Sequence, residues 1–548
     1  MSSIFVRISF VFLLLPVFCY SQKITKADQQ IINNLKKHVQ YLADDKLEGR
    51  RTGSNGEKLA MEYISAQFRT AGLLPKGTSE YYQAFEVNDG KQINAGSSLI
   101  INGNVLQAGK DFFPFPFSPN QTMEALPSVA MQEWDMPWFT DLKEILEENA
   151  ANPHFDLGSY IYSNCKKAKE KGASAVLLYN SSAIDDKLVF DAKDKQEQTP
   201  IPVVYIDKEI ARKYFSDKTA TLNLKLKTDI GKKIRTGNNV IGYIDNGALT
   251  TVILGAHFDH LGYGEDGNSM IRTGEKNIHN GADDNASGTA ALIELAGKLK
   301  SSKAKNNNYL FIAFSGEELG LYGSKYFTEH PTIDLKTVNY MINMDMVGRL
   351  NDSTKVLTIG GIGTSPQWSV QTKERRPSFV IKTDSSGTGP SDHTSFYRKD
   401  IPVLFYFTGL HSDYHKPSDD ADKINYNGEL AIVQHILGVV ESMNSKPKLV
   451  FTKTRETQTT TSARFGVTMG IMPDYTYAGT GVRADGISEG RPAQKAGLQT
   501  GDVIIQLGDN AISSMESYMQ ALGKFKKGDK AKVKYKRGNS ILETSVEF

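Results

Sequence analysis

The stretch Ile253-Leu254-Gly255-Ala256-His257-Phe258-Asp259-His260-Leu261-Gly262 passes directly from an apolar run into imidazoles and a carboxylate. A short apolar run bounded in this way reads as a buried strand that ends in a polar loop. The pattern recurs downstream in Gly281-Ala282-Asp283-Asp284-Asn285-Ala286-Ser287-Gly288 and Phe314-Ser315-Gly316-Glu317-Glu318-Leu319-Gly320. It returns in Asn343-Met344-Asp345-Met346-Val347-Gly348 and in Asp413-Tyr414-His415-Lys416-Pro417. In open α/β sheets the binding crevice is formed by loops at the carboxyl ends of strands. Five such loops would bring His, Asp, Glu, Asp and His into one pocket, a donor set suited to a pair of zinc ions.

Working outward, residues 239–445 alternate strand-like runs (240–244, 251–256, 309–314, 338–344, 356–359 and 401–407) with helical stretches. The clearest helix starts near Asn285 and carries Ala291, Leu292, Leu295, Ala296 and Leu299 on one face. Upstream, Ile31, Leu35, Val39 and Leu42, then Leu59, Met61, Ile64 and Phe68, recur at helix spacing. A glycine- and charge-rich loop at 47–56 joins these two helices, and a plain linker is its simplest reading. From 94 to 233 short strands (98–101, 160–162, 175–178, 203–206) alternate with aromatic and proline-rich loops. We read this region as an insertion, because the helices before it lack a sheet and the sheet after it lacks those helices. Residues 446–463 are polar and threonine-rich, as a linker is, and 464–548 form a separate small domain.

At 548 residues the chain is too long for one ordinary domain. With 64 basic and 62 acidic residues, its charge balance gives no reason to expect nucleic acid as a partner. Residues 1–21 read as an export signal: Arg7 precedes an apolar core at 8–18, and Cys19 and Ser21 offer small residues before Gln22. That core is too short to span a membrane, and no later segment reaches the required length. A periplasmic or secreted protein is therefore expected, and the bulky Phe18 argues against a lipid anchor at Cys19. Once the signal is removed Cys165 stands alone, so no internal disulfide is available and stability must come from burial.

Seven of the ten histidines lie between 257 and 415, beside the paired acids Asp283-Asp284 and Glu317-Glu318. Each pair taken alone reads as a solvated loop, but buried like charges are costly unless a cation neutralises them. Two zinc ions can acidify a water and polarise a carbonyl, while a carboxylate not spent on metal takes the proton. Adjacent glutamates suit that division of labour. Asp259, two residues beyond His257, suits an orienting role toward its ring, with a loop-capping carboxylate as the plainer reading.

These motifs resemble the co-catalytic dizinc exopeptidase family, which includes bacterial aminopeptidases, glutamate carboxypeptidase and the glutaminyl cyclases. The likeness rests on His257-Phe258-Asp259, residues 281–288 and 315–324, Asn343-Met344-Asp345, Ser391-Asp392-His393 and Tyr414-His415. It extends to the loop at 47–56 and so spans most of residues 28–445. It implies that His257 and Asp345 hold one zinc, Glu318 and His415 the other, and that Asp284 rather than Asp283 bridges them. It further implies Glu317 as general base, Asp259 as orienter of His257, and Tyr414 at a position that stabilises the oxyanion in some relatives. His260, His279, His393 and His411 fall outside the family's ligand pattern, with His393 read as lining the pocket and the others as structural. The insertion is similar to a protease-associated domain, best matched over 158–180. The C-terminal segment resembles a PDZ domain, with Met469-Gly470-Ile471-Met472 where such domains receive a peptide carboxylate.

The expectation is a three-layer α/β/α catalytic domain (22–93 and 234–445) with a mixed, mostly parallel sheet. The β-rich insertion and the PDZ domain complete the chain. The expected activity is that of an exported dizinc aminopeptidase acting on peptide N-termini, with the PDZ domain open to a peptide or protein C-terminus. A glutaminyl cyclase-like acyltransferase with one zinc, or a carboxypeptidase, would use the same scaffold. The full five-ligand set favours the peptidase over the cyclase. Arginines near the ligand loops (Arg349, Arg375, Arg376, Arg398) form no cluster that would mark a carboxypeptidase. A binding protein on a dead scaffold should have lost ligands first, and none is missing.

Overall fold

The structure is a computed structural model that describes residues 24–548 apart from 151, 153–154, 195, 272–274, 369–379, 455–466, 475–476, 478, 488–489 and 514. The expected export signal, His154, Arg375, Arg376 and the end of the expected linker (455–463) lie outside the described residues.

Among the described residues, nine strands form one sheet whose centre is parallel. Asn308–Phe314, Thr251–His257, Val338–Met344 and Val403–Phe407 lie side by side in that order, all running the same way. Ile230–Ile244 joins antiparallel on one flank, and Val356–Gly360 on the other. Val380–Thr383, a strand the sequence reading missed, forms the far edge.

The central strands are buried on both faces, which is why they read as unbroken apolar runs. Val252, Leu254, Phe311 and Ala313 share one core with helices Lys26–Leu42, Asn55–Thr70, Gly288–Ser301 and Tyr426–Met443. Ile253, Leu310, Ile312 and Phe314 face the other way, onto Phe327 of helix Tyr322–Glu329 and Phe396 of helix His393–Tyr397. Helices thus cover both faces, and the architecture is three-layer α/β/α.

Tyr82–Ile93 pairs with Ile230–Ile244 along a long antiparallel ribbon, from Tyr82 opposite Val240 to Ile93 opposite Ile230. Between those ends the chain builds two four-stranded sheets. In strand Ala175–Tyr179, Ala175, Leu177 and Tyr179 enter one core, and Val176 and Leu178 enter another. One expectation fails here. Residues 160–162 are not a strand but part of helix Leu157–Glu170. The two tyrosines favour a strand by propensity, but Asp156 caps Ser159 N–H at 3.0 Å, and Ile161 and Cys165 share one buried helical face.

The C-terminal region is a six-stranded sheet with a core of its own, including Met469, Ile471, Val482, Ile504 and Tyr535. It meets helix Tyr322–Glu329 through Lys325 Nζ and Asp474 Oδ1, 3.1 Å apart. No helix among the described residues is long and apolar enough to cross a membrane.

Candidate metal centre

The parallel centre of the sheet brings the charged loops together. His257 is the last residue of its strand, Asp345 directly follows Val338–Met344, and Glu317 and Glu318 stand just beyond Asn308–Phe314. His415 lies in the loop after Val403–Phe407. Asp284 sits in the turn Ala282–Ser287 that leads into helix Gly288–Ser301.

Asp284 lies between two histidines. Its Oδ1 is 3.3 Å from His257 Nε2, and its Oδ2 is 3.3 Å from His415 Nε2. His257 Nε2 is also 3.4 Å from Asp345 Oδ1, and His415 Nε2 is 3.2 Å from Glu318 Oε2. Each imidazole is turned by a main-chain carbonyl that accepts its Nδ1–H: Asp259 O for His257 (3.2 Å) and Asn268 O for His415 (2.9 Å). Both Nε2 lone pairs are therefore free and face carboxylates. The orienting hydrogen bond to His257 comes from the backbone of Asp259, because its carboxylate stands 3.7 Å away. That carboxylate instead accepts Thr52 Oγ1–H at 3.0 Å and the Glu317 N–H at 3.2 Å.

The donor set fits zinc. Ligand atoms at zinc distances around a tetrahedral centre lie about 3.4 Å apart, close to the four separations just given. Charge points the same way: Asp284, Glu317, Glu318 and Asp345 crowd a buried site that needs cations. Burial, reinforced by Glu318 and Asp345, pushes the Glu317 carboxyl well above the usual carboxylate range, against the pull of His257. Asp392, between Ser391 and His393, is buried, and burial raises it to about 7 against the pull of His257 and Ser324. Its motif drew attention in the sequence without a role for the carboxylate. Tyr414 stacks on His415 with ring centroids 3.8 Å apart. His393, next to Asp392 in the chain, is buried and stacked on Phe405.

Asp283 points elsewhere. Its Oδ1 accepts the Gly348 N–H at 2.7 Å and Ser287 Oγ–H at 3.0 Å, and its Oδ2 faces His411 Nε2 at 3.2 Å. Asp419 Oδ2 receives the N–H groups of both Asp283 and Asp284, each at 3.0 Å. Arg349 is engaged by Asp413 at 3.2 Å.

The loop at 47–56 is no passive linker. Arg50 is fully buried and donates to the carbonyls of Leu42, Phe258 (2.7 Å), Asn280 (2.6 Å) and Gly281 (2.9 Å). It thereby ties the first helix to the turns before His260 and Asp284. Close approach requires Gly49, where a Cβ would sit 2.5 Å from His279 O. The sequence signal was a glycine beside an arginine, whose partners are main-chain carbonyls of the first helix and of three distant turn residues.

A model of the family described as Peptidase family M28 matches residues 239–440, and a PDZ domain model matches residues 463–548. The chain is 29% identical over 277 residues to aminopeptidase YwaD of Bacillus subtilis (strain 168), covering 48% of this chain and 56% of that protein. It is 31% identical over 193 residues to leupeptin-inactivating enzyme 1 of Streptomyces exfoliatus, covering 34% and 39% of the two chains. The chain spans about half the length of the curated relatives it matches. Among solved structures, an aminopeptidase from Aneurinibacillus sp. strain AM-1 aligns at 23% identity and TM-score 0.40, over 78% of this chain and 97% of that one. A Bacteroides thetaiotaomicron glutaminyl cyclase bound to N-acetylhistamine aligns at 14% identity and TM-score 0.40, over 75% and 97%. Residues 239–440 are thus similar to peptidase family M28, and residues 463–548 to PDZ domains.

Proposed function

We propose that this chain is an exported dizinc aminopeptidase that removes residues from peptide N-termini. One observation carries the reading: two histidines with carbonyl-fixed tautomers aim free Nε2 atoms at opposite oxygens of Asp284. His257 and Asp345 would hold one zinc, Glu318 and His415 the other, and Asp284 would serve both. When bound, the ions supply acidification of the attacking water and polarisation of the scissile carbonyl.

Glu317 is the base in this reading. It adjoins the ligand Glu318, and its Oε2 is 4.0 Å from His257 Nε2. Asp259 holds its backbone N–H. Glu317 takes a proton from the attacking water and returns it to the departing amine. We assign Tyr414, stacked on His415, to stabilising the developing oxyanion. We assign 22–93 and 234–445 to the catalytic domain, 94–233 to a protease-associated insertion that shapes access, and 464–548 to a module that receives peptide or protein C-termini.

The test is a panel of aminoacyl and C-terminal reporter peptides given to zinc-loaded and chelator-stripped protein. Turnover of aminoacyl reporters that vanishes when two zinc ions are stripped and returns when they are restored is expected. Turnover of C-terminal reporters alone, or glutaminyl cyclisation with one zinc, would refute the proposal.

A further inference from the structure

His260 is a second buried imidazole beside Glu318, and the family's ligand pattern gives it no role. Its Nδ1 lies 2.7 Å from Glu318 Oε1, while His415 Nε2 approaches the other oxygen, Oε2, at 3.2 Å. The first distance is that of a hydrogen bond, shorter than the spacing of two donors around one zinc. From Asp284 Oδ2 the same Nδ1 is 4.0 Å away. Among the described residues, His260 Nε2 meets no hydrogen-bond partner, so the ring's hydrogen bond is the one to Glu318.

The ring is held firmly. His260 is 2% exposed, and its N–H donates to Arg50 O at 3.2 Å. Its edge lies over Gly281, where a Cβ would come within 2.5 Å of His260 Cδ2. Glu318 is gripped a second time, because Asn268 Nδ2 donates to its carbonyl at 2.6 Å. The same Asn268 turns His415 through its own carbonyl. His257, by contrast, ends a central strand, and Asp345 directly follows another. The Glu318–His415 position therefore rests on loops that His260 and Asn268 must pin.

We propose that His260 is a positioning residue for Glu318: its Nδ1–H binds Oε1 and leaves Oε2 for the metal position that Glu318 shares with His415. The proposal rests on the dizinc reading above. It implies that the two positions differ in what supports them, and that only one depends on His260.

His260→Leu and His260→Asn test it, since both fit in the space of the ring. Only asparagine restores an N–H near Nδ1, and its neutral amide oxygen is a far weaker zinc ligand than imidazole. Stepwise zinc binding to the stripped full-length chain is measured by calorimetry, with melting of the metal-free proteins as a control on folding. The expected result is that His260→Leu weakens one of two zinc steps about 10–100-fold, leaves the other unchanged, and that His260→Asn recovers most of the loss. Equal loss in both variants would make His260 a ligand and overturn the proposal, as would wild-type affinities in His260→Leu. Should His260→Leu not fold, His260→Asn decides alone, because near-wild-type binding supports the positioning role and a lost zinc contradicts it. A wild-type chain that binds fewer than two zinc ions would instead bring down the dizinc reading itself.

Discussion

Asp283 and Asp284 are neighbours whose carboxylates serve different ends: Asp283 Oδ1 accepts the Gly348 N–H at 2.7 Å, while Asp284 lies between His257 and His415. The backbone turn that separates them is fixed by Asp419, which takes both N–H groups on one oxygen. Asp284→Ala should reduce affinity at both zinc positions with little change in the melting of the metal-free chain. Asp283→Ala should keep two zinc ions but cost about 1–3 kcal/mol of stability, because the Gly348 N–H loses its buried acceptor. Metal analysis and denaturant unfolding of the two variants distinguish these outcomes. The reverse pattern would exchange the roles.

Arg50 predicts a larger effect. Arg50→Met leaves four buried carbonyls without their donor, so a loss of about 3 kcal/mol or more is expected. Arg50→Lys should recover only part of it, since one ammonium cannot span the fan of acceptors that the guanidinium reaches. Urea unfolding of the stripped protein is the measurement. A change below 1 kcal/mol in Arg50→Met would show that the loop is a linker after all.

Glu429, in helix Tyr426–Met443, carries a pH signature. Both its oxygens are buried without a partner among the described residues. Burial, then the charges of Asp283 and Glu294, push its carboxyl well above the usual range. In the unfolded chain it ionises near about pH 4.3, but in the folded chain it keeps its proton to higher pH. The folded state therefore binds more protons above that point, and stability falls as pH rises, by up to about 1.4 kcal/mol per unit. Glu429→Gln removes this loss. Its stability advantage over wild type should grow between pH 5 and 8, and parallel curves would contradict the assignment.

Cys165 is buried against the insertion's second core, and burial alone raises its thiol to about 12. The native protein should resist a thiol reagent at neutral pH and react fully once denatured. Rapid labelling of the folded chain would mean that helix Leu157–Glu170 is not packed as described.

The readable and unreadable parts of this chain divide on a physical line. Strand Thr251–His257 was legible because burial on both faces makes it continuously apolar, and the imidazole that ends it marks where the apolar run gives way to a buried charged site. Glu317-Glu318 and Asp345 stood out for the same reason. The ribbon strand Tyr82–Ile93 escaped notice, since it alternates buried and exposed residues and carries asparagine, aspartate and glycine at its far end. Helix Leu157–Glu170 was obscured by its tyrosines. The contacts of Arg50 with Gly281, of His260 with Glu318 and of Asn268 with Glu318 have no local signature, because the partners are 231, 58 and 50 positions away in the chain. Asp259 shows a subtler gap: spacing located the residue but not whether its backbone or its carboxylate would turn His257.

The most direct test is zinc content and turnover measured together in Glu317→Gln. Glutamine keeps the size and polarity of Glu317 but cannot accept a proton. Turnover of an aminoacyl substrate should fall about 10²–10⁴-fold, roughly 3–5 kcal/mol of barrier, while two zinc ions remain. Glu318→Gln, beside it, should lose one zinc and regain part of its activity in excess metal, because a neutral amide oxygen remains a weak ligand. Loss of a zinc from Glu317→Gln, or turnover near that of the wild type, would contradict the assignment of Glu317 as the base.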